Sequence, residues 1–461
     1  MSDISSESLS AQFQGPGIEI SGLSKLSKEE KINYLNRHFD CKEILQKFWN
    51  QDQNLQQLLD EFSENTVSNF PFPMGIVPNL LINQNLYTVP LVIEESSVVA
   101  ACSKSANFWK NKGGVKTSIL GARKSGQVHL IYSGEKEKLL NFFFEIKNEM
   151  IEDASPLLKK MEDRGGGLKS LEIIFKETEQ VLPTSLYQEN LNSHYVQLFA
   201  HFETCDAMGA NFINSVLESL AVSFKEKFYK SGKFKKEKCD IIMSILSNYT
   251  PECLVRAEVS CLVSELLDPA IDMSAEAFAQ RFNLATWIAQ NDIYRATTHN
   301  KGIMNGIDAV SLSTGNDFRA VEACAHAYAS SSGKYKGLSN SKIENGKFIF
   351  WLEIPLSVGT VGGLTSLHPL SKFSLQLMGN PKASDLMQIM AAIGLMQNFA
   401  ALKSLVTSGI QKGHMKMHLL NMLNSFAASE EERIAAKEYF SDKTVSYSAV
   451  REYLKMTRTW Q

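Results

Sequence analysis

The spacing of hydrophobic residues along this chain changes several times, and each change predicts a different kind of element. Across Lys28–Phe62 apolar residues recur every three or four positions, which predicts helix. Pro71, Pro73 and Pro78 then predict loop and extended chain. Leu86–Ile93 is almost continuously apolar and ends at two glutamates, so it is predicted to be a buried strand.

A helix is predicted directly after that strand. Ser96 or Ser97 is expected to cap it, and the helix is expected to run over Val98–Lys110. Junctions between regular elements commonly carry functional side chains, because a rigid scaffold positions them there. This junction is therefore a first candidate for a site.

Residues 118–247 show a different pattern, in which short strand-like runs alternate with helix-like runs. This alternation predicts a compact α+β unit inserted in a larger domain. The strand-like runs are Ser118–Leu120, Gln127–Tyr132, Leu171–Phe175 and Tyr195–Phe202, and the helix-like runs are Lys136–Met150 and Asn211–Tyr229. Inside this unit the triplet Gly165–Gly167 predicts a tight turn or a close approach of backbone.

Beyond about residue 250 the pattern returns to long helices rich in alanine and methionine. Glu276–Asn291, Asp317–Ser330 and Ala383–Ser408 are predicted helices, and the last of these is strongly apolar. Between them, Ser339–Gly346 and Lys347–Ile354 predict a hairpin.

Composition limits the classes of protein that fit. The 461 residues exceed one ordinary domain, so two or three are expected. The formal net charge of −3 gives no reason to expect nucleic acid as a partner. The basic stretch Lys230–Lys238 is interpreted as a solvated loop or helix end, with a landing site for a phosphorylated ligand as the alternative.

Cysteines and histidines indicate a reducing compartment and no metal. The seven cysteines form no CxxC pair, and the nine histidines show no HExxH spacing. His414 and His418 could share a helical face, but no set of carboxylates or cysteines accompanies them.

No uninterrupted apolar run reaches the roughly 18 residues that cross a bilayer. Because residues 1–20 are polar, we expect a disordered tail rather than a signal peptide, and a cytoplasmic protein with no membrane partner.

Three common motifs are absent from the sequence. Gly121–Gly126 (GARKSG) lacks the Gly-Lys-Ser/Thr of a phosphate-binding P-loop. No GxGxxG follows a predicted strand, and no GxSxG nucleophile elbow occurs. A P-loop NTPase, a Rossmann domain and an α/β hydrolase are therefore not expected.

Tyr294–Asp308 is the most unusual segment, because it places one Lys, one Arg, two Asn and one His among small residues. This composition suits backbone that closes around a polar, anionic ligand. Taken singly, Lys301 could be an ordinary surface lysine, Asp317 a helix N-cap and His414 a solvated residue. Glu94–Glu95 follows an apolar strand, so only one of the two is expected to face a buried site.

Several of these segments, in this order, resemble motifs of the 3-hydroxy-3-methylglutaryl-CoA (HMG-CoA) reductase family, in its soluble class II type. The similarity extends over nearly the whole chain from about residue 22. The most specific motifs are DAMGAN at Asp206–Asn211 and THNKGIMNGID at Thr298–Asp308. The other matching stretches are Glu64-Asn65, Val89–Ala101, Arg164–Gly167, Ile245–Asn248, Thr314–Asp317, Val358–Gly363 and Gly413–Met415.

The resemblance implies an enzyme that reduces a CoA thioester with two hydrides from a nicotinamide cofactor, giving mevalonate and free CoA. It implies that Lys301 stabilises the oxyanion formed by each hydride transfer. Glu95 matches the general acid, which a neighbouring carboxylate in a buried site would keep protonated. Asp317 matches the aspartate that links these two residues, and His414 matches the histidine that protonates the departing CoA thiolate.

The resemblance also implies binding residues. Ser97, Arg295 and Asn305 match substrate contacts, and a guanidinium suits a carboxylate. The positions that match cofactor contacts are Asp206, Met208, Gly209, Ala210, Asn211 and Asn248. Lys159 and Lys160 stand where some NADH-using members place an acidic residue near the ribose 2′-hydroxyl, so we favour NADPH over NADH. The alternative is that these two lysines only face solvent.

The implied fold is α+β. A large helical and sheet domain for substrate and catalysis is expected over 21–117 and 248–409, with a small ferredoxin-like, non-Rossmann nicotinamide-binding domain inserted at 118–247. Residues 410–461 are expected to form a C-terminal helical flap that carries His414 and closes over the site. Sites in this family form at a dimer interface, so a homodimer or an assembly of dimers is implied.

Two alternatives to a reductase remain. One is a CoA-thioester-binding enzyme of the same fold with altered chemistry, and the other is a non-catalytic binding protein. The second predicts the loss of at least one of Glu95, Lys301, Asp317 and His414, and the chain has all four. The motifs therefore favour the reductase, while the direction of the reaction, toward or away from mevalonate, stays open.

Overall fold

The structure, a computed structural model, describes residues 22–177, 193–266, 273–407, 419–441, 443 and 445–458. The predicted tail at 1–20, His414 and His418 lie outside these residues. The chain divides into two compact units, one that ends at Pro73 and one that begins at Met74.

The first unit is helical, as predicted, but it contains three helices where the periodicity suggested one long segment. Ser27 and Asp52 begin two of the helices with side-chain caps, and Asp40 ends the first with a left-handed φ of 45°. The helices are α1 (Lys28–Phe39), α2 (Lys42–Lys47) and α3 (Gln53–Asp60), and a short 3-10 turn covers Leu23–Lys25. Capping residues, which hydrophobic spacing does not register, therefore set these boundaries.

The second unit begins with an antiparallel hairpin. Its strands are β1 (Met74–Ile82) and β2 (Asn85–Val92). Asn83 and Gln84 form the two-residue turn, and both have the positive φ that such a turn requires. The loop and extended chain predicted across Pro71–Pro78 become a strand from Met74 onward, which tolerates Pro78 because this residue lies at a bulge where the ladder is interrupted.

Four more strands form one antiparallel sheet of this unit. They are β3 (Lys116–Ile119), β8 (Leu254–Leu262), β9 (Ser339–Glu344) and β10 (Lys347–Pro355). Their order across the sheet is β3-β8-β10-β9, so the predicted hairpin is confirmed as β9 and β10. Ser118 and Ile119, which the sequence pattern groups with the small unit, pair instead with β8.

A separate four-stranded antiparallel sheet carries three helices. Its strands are β4 (Lys124–Ser133), β5 (Gly167–Lys176), β6 (Ser193–Glu203) and β7 (Lys238–Leu246), and its helices are α5 (Lys136–Asp153), α6 (Ser155–Glu162) and α7 (Ala210–Lys230). The strand order is β5-β6-β4-β7. Residues between 128 and 239 supply this layer with a hydrophobic core of its own, and the strands and helices predicted here are confirmed.

The remaining helices surround the larger core. They are α4 (Val98–Lys110), α8 (Ala275–Asn291), α9 (Ile293–Ser313), α10 (Phe318–Ala329), α11 (Gly363–Leu367), α12 (Pro369–Leu377) and α13 (Ala383–Val406), with a 3-10 turn at Val263–Leu266. Tyr294–Asp308, which the composition suggested to be backbone that closes around a ligand, lies wholly inside α9. Asp292 caps this helix by accepting a hydrogen bond from the Arg295 amide at 2.7 Å.

Helices α9 and α13 cross closely because each has a glycine at the crossing. A Cβ on Gly306 would lie 2.9 Å from Ile393, and a Cβ on Gly394 would lie 2.8 Å from Ile307. Both distances are shorter than real Cβ contacts allow. Of the two glycines in the unusual segment, Gly306 therefore serves helix packing, whereas a Cβ on Gly302 would meet no atom within 4 Å.

Helix α13 is mostly apolar, although it includes Asp385 and Lys403 near its two ends. Within the described chain it is the one helix long and apolar enough to cross a bilayer, although the sequence shows no uninterrupted apolar run of that length. However, 67% of its most apolar window is buried inside the protein. Helix α13 is therefore the central helix of a globular core.

The C-terminal residues have a third small core. Its helices are α14 (Glu430–Tyr439) and α15 (Tyr447–Arg458), and residues 419–425 are also helical. Leu423, Ala436 and Val450 are fully buried in it. Arg458 pairs with Glu432 at 2.7 Å, which joins the two named helices.

Candidate active site

Glu95, Lys301 and Asn305 meet where the chain leaves β2 and passes α9. Lys301 Nζ donates a hydrogen bond to Glu95 Oε2 at 2.8 Å, and Asn305 Nδ2 donates to the same oxygen at 3.3 Å. Lys301 and Asn305 are four residues apart and so lie on one face of the helix. The side chains of Lys301 and Glu95 are 62% and 39% exposed, so the pair is open to solvent.

The opposite side of α9 is anchored in the core. His299 Nε2 lies 2.6 Å from Ser339 Oγ, which in turn donates to Asn398 Oδ1 at 2.7 Å. Asn300 accepts from the Leu338 amide at 2.9 Å. Burial, together with the positive charge of Arg295, lowers the pKa of His299 to about 3, so this imidazole is neutral at ordinary pH. These contacts fix the helix rotation that turns Lys301 toward Glu95.

Ser97 and Arg295 occupy constrained positions near this pair in the chain. Ser97 is the N-cap of α4 and has a left-handed φ of 78°, which is strained for a residue other than glycine. Arg295 lies in the first turn of α9, six residues before Lys301, and it is half-buried. Burial lowers the pKa of its guanidinium below the usual value, but an arginine remains charged at neutral pH.

Asp317 is the N-cap of α10, as the structural alternative predicted. Its Oδ1 accepts from the amides of Arg319 and Ala320 at 3.1 and 3.2 Å, and the Arg319 side chain reaches the same oxygen at 3.1 Å. Among the described residues, its hydrogen bonds thus go to its own helix. The linking role between Lys301 and Glu95 stays a prediction.

The DAMGAN motif forms a tight loop that leads into α7. Gly209 has a φ of 91°, and a Cβ there would lie 2.4 Å from Thr204. The Asp206 carbonyl accepts from the Thr360 amide at 2.8 Å, and its carboxylate accepts from the Ala383 amide at 2.9 Å. Ala210 and Asn211 begin the helix, so its unpaired N-terminal amides lie beside this loop.

The Gly165–Gly167 turn lies against the start of that loop. Gly165 and Gly167 have φ values of 93° and 96°, and a Cβ on Gly166 would lie 2.4 Å from the Glu203 carbonyl. The predicted tight turn and close backbone approach are therefore confirmed. Lys159 and Lys160 are exposed in the last turn of α6, and Asn248 is exposed after β7.

The basic stretch Lys230–Lys238 and the lysine of GARKSG, Lys124, have different environments in the structure. In the Lys230–Lys238 stretch, Lys230 pairs with Glu226 at 2.7 Å and Lys233 pairs with Glu145, as expected of a solvated face. Lys124, by contrast, was missed, because GARKSG was considered only as a P-loop. Its Nζ is buried beneath the DAMGAN loop. Its one sequence signal is its place three residues before the strand-like run Gln127–Tyr132.

Metal ligands do not cluster in the part of the chain that the structure describes. No group of three or more His, Cys, Asp or Glu side chains there could hold a metal ion. The chemistry available to these described residues is that of an ammonium, a carboxyl group and amide donors around a polar ligand.

Known proteins of one family are similar to this chain over most of its length. A family model described as hydroxymethylglutaryl-coenzyme A reductase matches residues 27–419. A 3-hydroxy-3-methylglutaryl-coenzyme A reductase from Archaeoglobus fulgidus is 35% identical over 431 residues, which cover 90% of this chain and 88% of the relative. A probable enzyme of the same name from Borreliella burgdorferi is 34% identical over 372 residues, covering 80% and 79%.

Solved structures give the same result. A 3-hydroxy-3-methylglutaryl-coenzyme A reductase from Streptococcus pneumoniae superposes with a TM-score of 0.69 and 34% identity, covering 95% of this chain and 100% of that one. A structure described as the class II enzyme bound to NADPH in open conformations, from the same organism, has a TM-score of 0.68 and 34% identity. It covers 94% of this chain and all of that one.

The protein is thus an oxidoreductase with a mixed α and β architecture. The chain belongs to the hydroxymethylglutaryl-coenzyme A reductase family, because the family model covers most of its length. Its similarity to a class II structure confirms the resemblance predicted from the motifs.

Proposed function

We propose that this chain converts HMG-CoA to mevalonate and free CoA with two hydrides from a nicotinamide cofactor, or catalyses the reverse oxidation. The contact among Lys301, Glu95 and Asn305 is the observation that carries the proposal. It puts an ammonium and a carboxyl group side by side at a solvent-open position, where a carbonyl oxygen can accept from the ammonium and, when Glu95 is protonated, from the carboxyl group as well. Reduction of a carbonyl needs both kinds of group, because negative charge develops on that oxygen.

Lys301 is the proposed electrostatic catalyst. Its ammonium stabilises the oxyanion that forms at the thioester carbonyl and, in the second reduction, at the aldehyde. The His299 and Asn300 contacts hold the helix, so the backbone that carries Lys301 stays in place during the reaction, and the hydrogen bond to Glu95 orients the ammonium. A fixed cation is worth more in this role than one that must first be ordered.

Glu95 is the proposed general acid, and Asp317 is the proposed partner that links it to Lys301. Two donors, from Lys301 and Asn305, hold one oxygen of the Glu95 carboxyl group. Asp317 is fixed by the N-terminal amides of α10. His414, outside the described residues, is proposed to protonate the CoA thiolate, so that the leaving group departs as a neutral thiol.

Arg295, Ser97 and Asn305 are the proposed substrate contacts. A guanidinium presents two parallel donors, which fits the free carboxylate of an HMG group. The half-buried position of Arg295 increases the strength of such a pair, because water screens it less. Ser97, held at the entry to α4, adds a hydroxyl donor in a fixed position.

The described residues fit a dinucleotide. The N-terminus of the 21-residue α7, which follows the loop Asp206–Gly209, presents backbone amides that favour an anionic diphosphate, whereas the Ala207 amide of the loop already donates to the Thr204 carbonyl. When bound, the cofactor supplies the two hydrides. Asn211 and Asn248 are exposed beside the loop and after β7, and both are proposed contacts. The exposed Lys159 and Lys160 favour the 2′-phosphate of NADPH over NADH.

The proposed organisation follows from these roles. Residues 118–247, apart from Ser118 and Ile119 in the other sheet, are the proposed cofactor domain. The support for its ferredoxin-like type is the order strand, helices, two strands, helix, strand with an antiparallel β5-β6-β4-β7 sheet. Residues 21–117 and 248–409 form the catalytic domain, and 410–461 the flap. We also propose a cytoplasmic homodimer or assembly of dimers.

The decisive experiment follows nicotinamide absorbance at 340 nm with purified protein and HMG-CoA, using NADPH and NADH in parallel. HMG-CoA-dependent oxidation is the expected result, with the larger kcat/KM for NADPH. Oxidation with neither cofactor, in protein shown to be folded, would leave the altered-chemistry or binding-only alternatives. A larger kcat/KM for NADH would overturn the cofactor preference while leaving the reductase intact.

A further inference from the structure

Lys124 is a buried ammonium whose hydrogen bonds all go to the loop before α7. Its Nζ donates to Thr204 Oγ1 at 2.7 Å and to the carbonyls of Ala207 and Met208, both at 2.9 Å. The residue is only 5% exposed. An ammonium has three donors, and here each has one acceptor. The amino group is therefore fully satisfied in its charged form.

No carboxylate neutralises this charge within 4.0 Å among the described residues. Hydroxyl and carbonyl groups are its only hydrogen-bond partners there. Burial lowers the pKa of the Lys124 ammonium below the usual lysine value, and the thiols of Cys253 and Cys205 oppose that shift. A buried cation without a counterion is costly, so its presence calls for a compensating function.

The hydrogen bonds of Lys124 decide which way the loop amides point. In a trans peptide, the carbonyl oxygen and the next amide hydrogen point in opposite directions. Because the carbonyls of Ala207 and Met208 face the ammonium, the amides of Met208 and Gly209 face away from it. Thr204 reinforces this arrangement, since its hydroxyl donates to the Ala207 carbonyl at 2.6 Å.

The other side of the loop is held by the catalytic layer. The Asp206 carbonyl and carboxylate accept from the amides of Thr360 and Ala383. Asn316 binds both the amide and the carbonyl of Gly359, at 2.8 and 3.0 Å, and it directly precedes the proposed catalytic aspartate. Lys124 thus fixes the loop from the side of the small sheet, while the segment around Thr360 fixes it from the catalytic side.

We propose that Lys124 is a positioning residue for the dinucleotide, which it serves by fixing the Asp206–Gly209 loop and by placing an unneutralised positive charge behind the N-terminus of α7. This inference rests on the proposed function, because it concerns the cofactor of that reaction. The charge and the helix N-terminus act in the same direction on an anionic ligand. Lys124 has no role in the chemical step, so it affects cofactor binding and not the binding of HMG-CoA.

The test compares Lys124→Met and Thr204→Val with the wild type. Binding of NADPH without substrate is measured by energy transfer from protein tryptophans to the dinucleotide, and the KM values for NADPH and HMG-CoA are measured separately. We expect Lys124→Met to weaken NADPH binding by about tenfold or more. Thr204→Val removes one of the three acceptors and is expected to weaken it about threefold. The KM for HMG-CoA should stay within about twofold of the wild-type value. A general structural fault would instead raise both KM values.

Lys227→Met is the matched control. Lys227 lies near the other end of the same helix, and it pairs with Glu149 and Asp153 at 3.0 and 3.1 Å. The same charge is removed there, and NADPH binding should be unchanged. Equal loss in Lys227→Met and Lys124→Met would overturn the proposal, since it would reduce the effect to net charge.

The outcomes separate this inference from the proposed function. If the wild type binds NADPH and reduces HMG-CoA while both variants bind NADPH as it does, the role of Lys124 is wrong and the function stands. If the wild type does neither, both fall. Should Lys124→Met fail to fold, Thr204→Val decides: selective weakening of NADPH binding supports the role of Lys124, and unchanged binding overturns it.

Discussion

Lys301 and Lys124 both lie in the proposed site, yet their surroundings differ in almost every respect. Lys301 is largely exposed and pairs with a carboxylate. Lys124 is buried, and among the described residues its ammonium donates only to a hydroxyl and two carbonyls. Lys301 stands in a specific sequence motif. Lys124 lies in GARKSG, which resembles a P-loop but lacks its Gly-Lys-Ser/Thr sequence.

The difference separates two ways of using an ammonium. An exposed, paired lysine contributes little to stability, so its position is free to be set by chemistry. A buried lysine without a counterion fixes the backbone around it, and its removal leaves buried carbonyls without a donor. We therefore expect replacement of Lys301 to have the larger effect on turnover. Replacement of Lys124 should have the larger effect on stability and on cofactor binding.

The largest expected effect is that of Lys301→Met on turnover. Loss of the cation should lower kcat by about 10³-fold, because the oxyanion then lacks its main stabilising charge. The loss should extend to reduction of free mevaldehyde, since both reductions form an oxyanion. Steady-state rates with HMG-CoA and with mevaldehyde measure this, and near-normal turnover would remove Lys301 from the role.

Lys342→Met provides the control for that variant. Lys342 pairs with Glu344 at 2.8 Å, the same distance as between Lys301 and Glu95, and it is also exposed. It lies on β9 and has no part in the proposed site. Its kcat should match the wild type, so a large loss there would show that removal of any exposed pair impairs the enzyme.

Stability is expected to reverse the order of the two lysines. Lys124→Met should destabilise the protein by about 1–3 kcal/mol, because buried acceptors lose their donor. Lys301→Met should change stability by roughly 0.2–1 kcal/mol, as an exposed pair does. Thermal midpoints of the two variants, recorded in one buffer without ligand, test this. A lower midpoint for Lys301→Met than for Lys124→Met would contradict the comparison.

The smallest effect is expected for Lys159 and Lys160, which are exposed in the last turn of α6. Lys159→Glu combined with Lys160→Glu should raise the KM for NADPH about fivefold and leave the KM for NADH unchanged, if these residues contact the 2′-phosphate. The ratio of the two KM values is the readout. An unchanged ratio would mean that both side chains are only solvated.

Much of the fold could be predicted from residue spacing. The hairpin of β9 and β10, the helices α8 and α13 and the alternation in the small sheet follow from periods of two and of three to four residues. For strand β1 the sequence predicts loop and extended chain without a boundary between them, because only the pairing with β2 shows that Pro78 lies at a bulge inside a strand. The same holds for Ser118 and Ile119, whose sheet is decided by pairing with β8, more than 130 residues later in the chain.

The site also contains residues that the sequence identifies and residues that it does not. The contact of Glu95 with Lys301 joins two motifs 206 residues apart, and the motifs named both residues. Lys124 was missed because its meaning lies in three acceptors supplied by a loop about 80 residues downstream. The composition of Tyr294–Asp308 predicts loop backbone wrongly, because the segment is helical and one of its two glycines, Gly306, lets α9 approach α13. A sequence pattern shows the local periodicity of hydrophobic residues and the presence of motifs. It does not show which elements pack against each other in the folded chain.

The apolar character of α13 has a consequence for how the chain is made. A 24-residue segment of this hydropathy would be taken for a membrane span, or would aggregate, if it left the ribosome without a surface to cover it. Its partners come earlier in the chain: Cys102 and Trp109 of α4 contact Ile393 and Phe399, and Gly306 of α9 meets Ile393. The surface that receives α13 is thus synthesised before it. A circular permutation that placed α13 first would reverse that order, and we expect such a chain to be lost to insoluble or membrane-bound material.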